Sequence, residues 1–351
     1  MFSFFCICWR FFVALELQTW KIILVLKKTN SSLNPFEKVS QQMRPMFRSF
    51  ERFLASQAKK FAPEIREVAK EVITPRGKYI RPLLVFSSAV EDANKDDIVR
   101  RAAIVELTHL STLVHDDVID NASVRRNSIT PNRKYGARTA ILLGDVIFSH
   151  MMLLAFNDSD VEVAKQTAKC IRIICEGEIS QTLSDKNDIV SRRKYYDIVY
   201  GKTAALFELS CRLGAMSGSA SQSWVDAASE AGKQLGIAYQ IYDDICDWFM
   251  SEADAGKTLG TDLISGKQTF PLILLIEKLP RSKIRSFIKN LPSAEFMQIR
   301  KMMVDNGVLD ACSIEFFRRI SLAEKILAPF NKDNAKLLEC CKVLRSLNVN
   351  F

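Results

Sequence analysis

Three carboxylates on one helical turn constrain this chain more than any other feature. They stand in His115-Asp116-Asp117-Val118-Ile119-Asp120, at the end of an apolar run from Ile104 to Ile119 that holds no Gly or Pro. Apolar residues in that run recur at helical spacing, which predicts a helix. Asp116 and Asp120 are then i and i+4 and share one face, a turn apart. Like charges this close repel, and more strongly where water is excluded. A positive species is therefore expected between them. Ligation by carboxylates alone suits a hard cation such as Mg²⁺ better than Zn²⁺.

The pattern returns at Gln240-Ile241-Tyr242-Asp243-Asp244-Ile245-Cys246-Asp247, after a second apolar flank from Leu235 to Tyr239. One such motif reads most simply as a solvated helix face. Two copies, each embedded in an apolar helix, argue against that. Two facing acidic helices would hold a cluster of Mg²⁺ ions, which is what a diphosphate needs.

Composition narrows the fold. The chain has 351 residues, is 48% hydrophobic, and carries only 13 Gly and 10 Pro. Helical periods dominate from Phe36 onward, and no glycine-rich strand-turn-helix segment appears. The expectation is a single all-α domain over residues 34–351, preceded by an apolar extension over 1–33. The net charge of +9 is spread along the chain. Nucleic-acid binding would want a basic stripe with interleaved aromatics. None is present, and Arg192-Arg193-Lys194 reads as a solvated turn. The nine cysteines form no Cys-x-x-Cys pair and sit mostly in apolar contexts, which points to a reducing compartment without disulfides or structural zinc.

Residues 1–28 are apolar but interrupted by Arg10, Glu16 and Lys21. They offer neither a clean span of about 20 apolar residues nor the ordered regions of a secretory signal. A membrane-surface or targeting segment, a helix packed on the core, and an extension without catalytic role all remain open. The expected location is cytoplasmic, with this segment as the candidate for membrane attachment.

Further blocks complete the pattern: Gly77-Lys78-Tyr79-Ile80-Arg81-Pro82, His109, Arg125-Arg126, Gly144-Asp145, Lys202-Thr203-Ala204, and Lys257-x-x-Gly260-x-Asp262-x4-Lys267-x-Thr269-x-Pro271. In this order, with the two acidic motifs, they resemble the trans-polyprenyl diphosphate synthases, the polyprenyl synthetase family, and within it the long-chain, octaprenyl-type members. The likeness spans roughly residues 35–345. It departs from the common Gly-Gly-Lys-Arg-x-Arg-Pro pattern at Arg76 and Tyr79, while both cations, Lys78 and Arg81, are kept.

The resemblance implies an all-α isoprenoid synthase bundle around a deep apolar cavity. It implies head-to-tail condensation of isopentenyl diphosphate with an allylic diphosphate, farnesyl or geranyl, by a homodimer whose product partitions to the membrane. About three Mg²⁺ ions would be held mainly by Asp116, Asp120 and Asp243, with Asp117 and Asp244 as further ligands. Lys78, Arg81, His109 and Arg126 would bind isopentenyl diphosphate. Arg125, Lys202, Lys257 and Lys267 would bind the allylic diphosphate, with Thr203 and Gln240 lining the site. Trp248 to Lys267 would form a lid. Asp145 reads as an isolated buried acid, and Gly144 as a point of close helix approach.

Product length follows from sterics. Ser111 and Thr112 lie five and four residues before Asp116. In the family an aromatic side chain there closes the floor and stops growth. Ser and Thr leave it open, so a long-chain all-trans product is expected, with Phe148, Met151 and Met152 as floor candidates.

Three rivals stand beside this reading. Glu106-Leu107-Thr108-His109 matches half of a carboxylate-bridged di-iron site. That site needs Glu-x-x-His twice, and His115 and His150 follow Thr112 and Ile147 instead. A terpene cyclase would carry an Asn/Asp-x-x-x-Ser-x-x-x-Glu second motif, absent here. A non-catalytic partner subunit would lose acids or the Arg pair, and a short-chain synthase would share every motif.

Overall fold

The structure, a computed structural model, describes residues 43–73, 79–125, 128–183, 189–250, 263, 266–291, 295–347 and 349. Lys78, Arg126, Lys257, most of the expected lid and the whole of residues 1–33 lie outside the described residues. Among those described the chain is almost wholly helical, as expected.

The described chain begins with helix α1 (Arg44–Ala58) and α2 (Pro63–Ile73). Pro63 lacks an N–H, so it starts a helix rather than continuing one. Helix α3 (Ile80–Ser88) is buried from Pro82 onward. Helix α4 (Lys95–Ile119) carries the first acidic motif; its first turn is capped by Asn94, whose side chain accepts from the Asp96 and Asp97 N–H groups. The expected i, i+4 relation holds, because the Asp120 N–H donates to the Asp116 carbonyl at 2.8 Å.

A two-residue antiparallel hairpin follows, with β1 (Val124–Arg125) paired to β2 (Ser128–Ile129). The motifs did not signal it. It folds the chain back so that Arg125 returns to the end of α4. Then come α5 (Pro131–Tyr135) and α6 (Ala137–Phe156), the second of which packs along α4. A Cβ at Gly144 would collide with the His115 ring, so glycine sets the spacing of these two helices beside the acidic motif.

Helix α7 (Val161–Thr182) leads to α8 (Arg192–Val199), a π-helical turn (Tyr200–Ala204) and α9 (Ala205–Ala215). The long central α10 (Gln222–Phe249) carries the second acidic motif. It packs on α9 and on α14 (Val308–Leu327), and Trp224, Leu235, Ile241, Ile245 and Trp248 are fully buried along it. The remaining helices, α11 (Phe270–Lys278), α12 (Arg281–Asn290), α13 (Phe296–Asp305) and α15 (Ala335–Arg345), close the C-terminal side.

Two expectations change. Asp145 is not buried: its side chain is 59% exposed and faces His115 Nε2 at 3.3 Å. Met151 is fully buried, whereas Phe148 and Met152, one turn apart, are only partly so. The outer face of α6 leaves Leu142, Leu153 and Phe156 more than half exposed.

Candidate functional site

The first two acids of each motif divide in a similar way, while the third acids differ, Asp120 being exposed and Asp247 buried at 1% exposure. Asp116 is half-buried and Asp120 and Asp243 are exposed. Asp117 and Asp244 are buried, at 3% and 4% exposure. The structure turns these two away from the open face and onto protein donors. Asp117 accepts from Arg125 Nε at 2.5 Å. Asp244 accepts from the Tyr195 hydroxyl at 2.7 Å, the Phe270 N–H at 3.0 Å and Gln240 Nε2 at 2.9 Å. Burial pushes the Asp244 carboxyl up to about 7, against these hydrogen bonds, which favour its charged form. Burial likewise raises Asp117, with Arg125 opposing.

Asp116 is raised chiefly by burial; Lys202 and Arg125 pull it down, while Glu178 and Asp120 push it up. These charges place the first motif beside α7 and the π-helical turn. Lys202 Nζ lies 3.7 Å from Glu178 on α7. Next to Lys202, the Thr203 hydroxyl donates to Gln240 Oε1 at 2.7 Å, one turn before Asp243 and Asp244. The π-helical turn is thus where both motifs meet.

That meeting depends on two glycines. A Cβ on Gly177 would lie 3.1 Å from the Gly201 Cα, and one on Gly201 would lie 3.0 Å from the Gly177 Cα. Only backbone fits between α7 and the turn. A π-turn widens the helix by one residue and recurs at functional sites. Here it places Lys202, 41% exposed at its side chain, next to buried Thr203.

Arg81 is half-buried, its guanidinium 5.4 Å from the centre of the Phe207 ring, which directs it toward the bundle interior. His109, Thr112 and Asp116 are all half-buried and recur three and four residues apart, so they line one face of α4. Ser111 is off that face, 2% exposed, with its hydroxyl turned onto the Thr108 carbonyl. Lys267 is half-buried, three residues before the Phe270 N–H that Asp244 holds.

Glu178 and Tyr195 carry functional contacts that the motifs did not assign. Nothing in the sequence singled out Tyr195, whose partner is 49 residues away.

The donor set consists of hard oxygens. Among the described residues no three His, Cys, Asp or Glu side chains converge closely enough to hold an ion by themselves. Oxygen donors of this kind suit a hard cation, and Mg²⁺ takes one or two carboxylates and completes its shell with water and phosphate oxygens.

Comparison with known proteins agrees with this geometry. The family profile described as Polyprenyl synthetase matches residues 62–303. A prenyl transferase of Synechocystis sp. is 34% identical over 254 residues, 71% of this chain and 77% of that one. The decaprenyl diphosphate synthase of Rhodobacter capsulatus superposes with a TM-score of 0.79 at 27% identity, over 89% of this chain and 99% of that one. A geranylgeranyl pyrophosphate synthetase of Pyrococcus horikoshii superposes equally well, with a TM-score of 0.79 at 26% identity over 90% and 98%. With a helical bundle that brings two aspartate motifs to a lysine-bearing turn, the chain belongs to the polyprenyl synthetase family and is a prenyltransferase.

Proposed function

We propose that the chain is a trans-polyprenyl diphosphate synthase that condenses isopentenyl diphosphate with an allylic diphosphate, head to tail, to give a long-chain all-trans product. The observation that carries this is the convergence of both acidic motifs on Lys202 and Thr203.

Asp116, Asp120 and Asp243 would hold Mg²⁺, about three ions in all. When bound, the metal draws negative charge onto the leaving diphosphate. Arg125 and Lys202, with Lys257 and Lys267, share that charge, so the allylic C–O bond ionises more readily. Gln240 fixes the Thr203 hydroxyl and so the orientation of the turn that presents Lys202. Lys78, Arg81, His109 and Arg126 hold isopentenyl diphosphate, whose double bond attacks the allylic cation. The proton lost afterwards passes to the released diphosphate. The apolar interior excludes water, which would otherwise capture the cation.

Product length rests on Thr112. It lies one turn below Asp116 on the same face, and its small side chain leaves room for the growing tail. Partly buried Phe148 and Met152 on α6 are the candidates for the floor. The exposed apolar face of α6 supports a homodimer, since burying such a patch is favourable. The apolar segment 1–33 is an extension of the synthase domain over 34–351.

The test is incubation of the purified chain alone with labelled isopentenyl diphosphate and farnesyl diphosphate, followed by chromatography of the dephosphorylated products. Products several isoprene units beyond farnesyl are expected. Arrest at geranylgeranyl length would make it a short-chain synthase. No incorporation would make it a non-catalytic subunit.

A further inference from the structure

We propose that Asp244 is a positioning residue: through hydrogen bonds it ties the two lysine-bearing segments of the site to the second acidic helix. The proposal rests on the prenyl-transfer reading and deepens it, because it separates the adjacent acids of the second motif by task.

Three donors, from α8, from the start of α11 and from one turn earlier on α10 itself, converge on this one carboxylate. Oδ2 accepts from the Tyr195 hydroxyl of α8 and from the Phe270 N–H at the start of α11, at 2.7 and 3.0 Å. Oδ1 accepts from Gln240 Nε2 at 2.9 Å. A carboxylate offers about four lone-pair sites, and protein donors fill three of them. The side chain is buried at 4% exposure, whereas Asp243 beside it is exposed. Nothing in this arrangement turns Asp244 toward a metal.

Two of the three donors lead to a lysine. Gln240 accepts from Thr203 at 2.7 Å, and Thr203 follows Lys202 directly. Phe270 follows Lys267 by three residues, and the intervening Thr269 hydroxyl accepts from Trp248 Nε1 at 3.0 Å. Releasing Asp244 would therefore loosen the π-helical turn and the approach to α11 together. Three hydrogen bonds end on this one buried carboxylate, so one side chain suffices to fix both.

Asparagine separates the two tasks. In Asp244→Asn the amide oxygen stays on Tyr195 and Phe270, and the amide nitrogen faces Gln240. Gln240 turns its own amide over, and the Thr203 hydroxyl, which both donates and accepts, reverses. The network survives without the charge. A metal ligand has no such escape, since an amide is a weaker ligand than a carboxylate for a hard cation.

Asp244→Asn, Asp244→Leu, Tyr195→Phe and Asp243→Asn are compared with wild type by two readouts. One is steady-state kinetics with farnesyl and isopentenyl diphosphates across a Mg²⁺ titration. The other is hydrogen exchange at the Phe270 amide, which needs no turnover and so reports on the positioning even if wild type proves inactive. Asp244→Asn is expected to keep the Mg²⁺ half-saturation and the Phe270 exchange rate within about threefold of wild type, while Asp244→Leu raises the allylic KM and the Phe270 exchange rate by about tenfold or more. Tyr195→Phe, which removes a single hydroxyl from a packed ring, speeds Phe270 exchange by a smaller factor and leaves the Mg²⁺ half-saturation unchanged. The proposal is overturned if Asp244→Asn shifts the Mg²⁺ half-saturation as Asp243→Asn does. It is equally overturned if Tyr195→Phe and Asp244→Leu exchange the Phe270 amide at the wild-type rate.

Discussion

Thr112 and Ser111 are adjacent, yet the helix buries them differently. Thr112 shares the half-buried face of His109 and Asp116, whereas Ser111 is packed at 2% exposure. Thr112→Phe is therefore expected to shorten the product toward farnesyl or geranylgeranyl length with turnover retained, as read by product chromatography. Ser111→Phe overpacks a filled position and should instead cost stability, about 1–3 kcal/mol. A second residue-scale effect lies far from the chemistry. Glu315 on α14 accepts from Tyr196, Arg318 and Arg319 at 2.6–2.8 Å. Burial alone would push its carboxyl up, but these hydrogen bonds outweigh it and hold it down, from 4.5 to about 2. A depressed carboxyl contributes stability above its unfolded value and loses it as pH falls through the folded one. Glu315→Gln should thus cost about 2–3 kcal/mol at pH 7. In urea melts, the gap from wild type should begin to close below pH 4.5 and vanish near pH 2.

Among the elements, the π-helical turn decides how the site is assembled. Gly201→Val would put its Cβ 3.0 Å from the Gly177 Cα and 3.3 Å from the Ile173 carbonyl. Neither neighbour is a flexible side chain, so α7 and the turn must part and Lys202 must move. The expected result is a loss of about 1–3 kcal/mol, seen as a lower melting temperature, together with a raised KM for the allylic diphosphate. The turn also marks the boundary of what could be read beforehand. Both acidic helices, their i, i+4 faces and the helix contact at Gly144 were legible, because periodicity and residue size determine them locally. The π-turn was not, since Tyr200–Ala204 has the composition of an ordinary helix and only the packing against Gly177 distinguishes it. Tyr195 and the inward turn of Asp117 and Asp244 were hidden for a related reason: their partners come from other elements. Asp145 misled because an acid in an apolar helix suggests burial, while α6 leaves that face open.

On the scale of the whole molecule, the open apolar face of α6 is the proposed dimer surface, and the proposed substrate cleft lies between the two acidic helices. Leu153 and Phe156 are 59% and 68% exposed. Replacing both with Asp should convert the proposed dimer to monomers in sedimentation, without change in helical content, because charge on a buried apolar patch costs its full desolvation. The cleft is served by two motifs on separate helices, and neither can supply the other's ligands. That division is the centre of the account. It is tested most directly by turnover of Asp116→Ala and Asp243→Ala, each measured alone against wild type at saturating Mg²⁺ with isopentenyl and farnesyl diphosphates. Each single variant is expected to lose on the order of a thousandfold or more in rate while its fold is retained. Near-normal turnover by either one would contradict it.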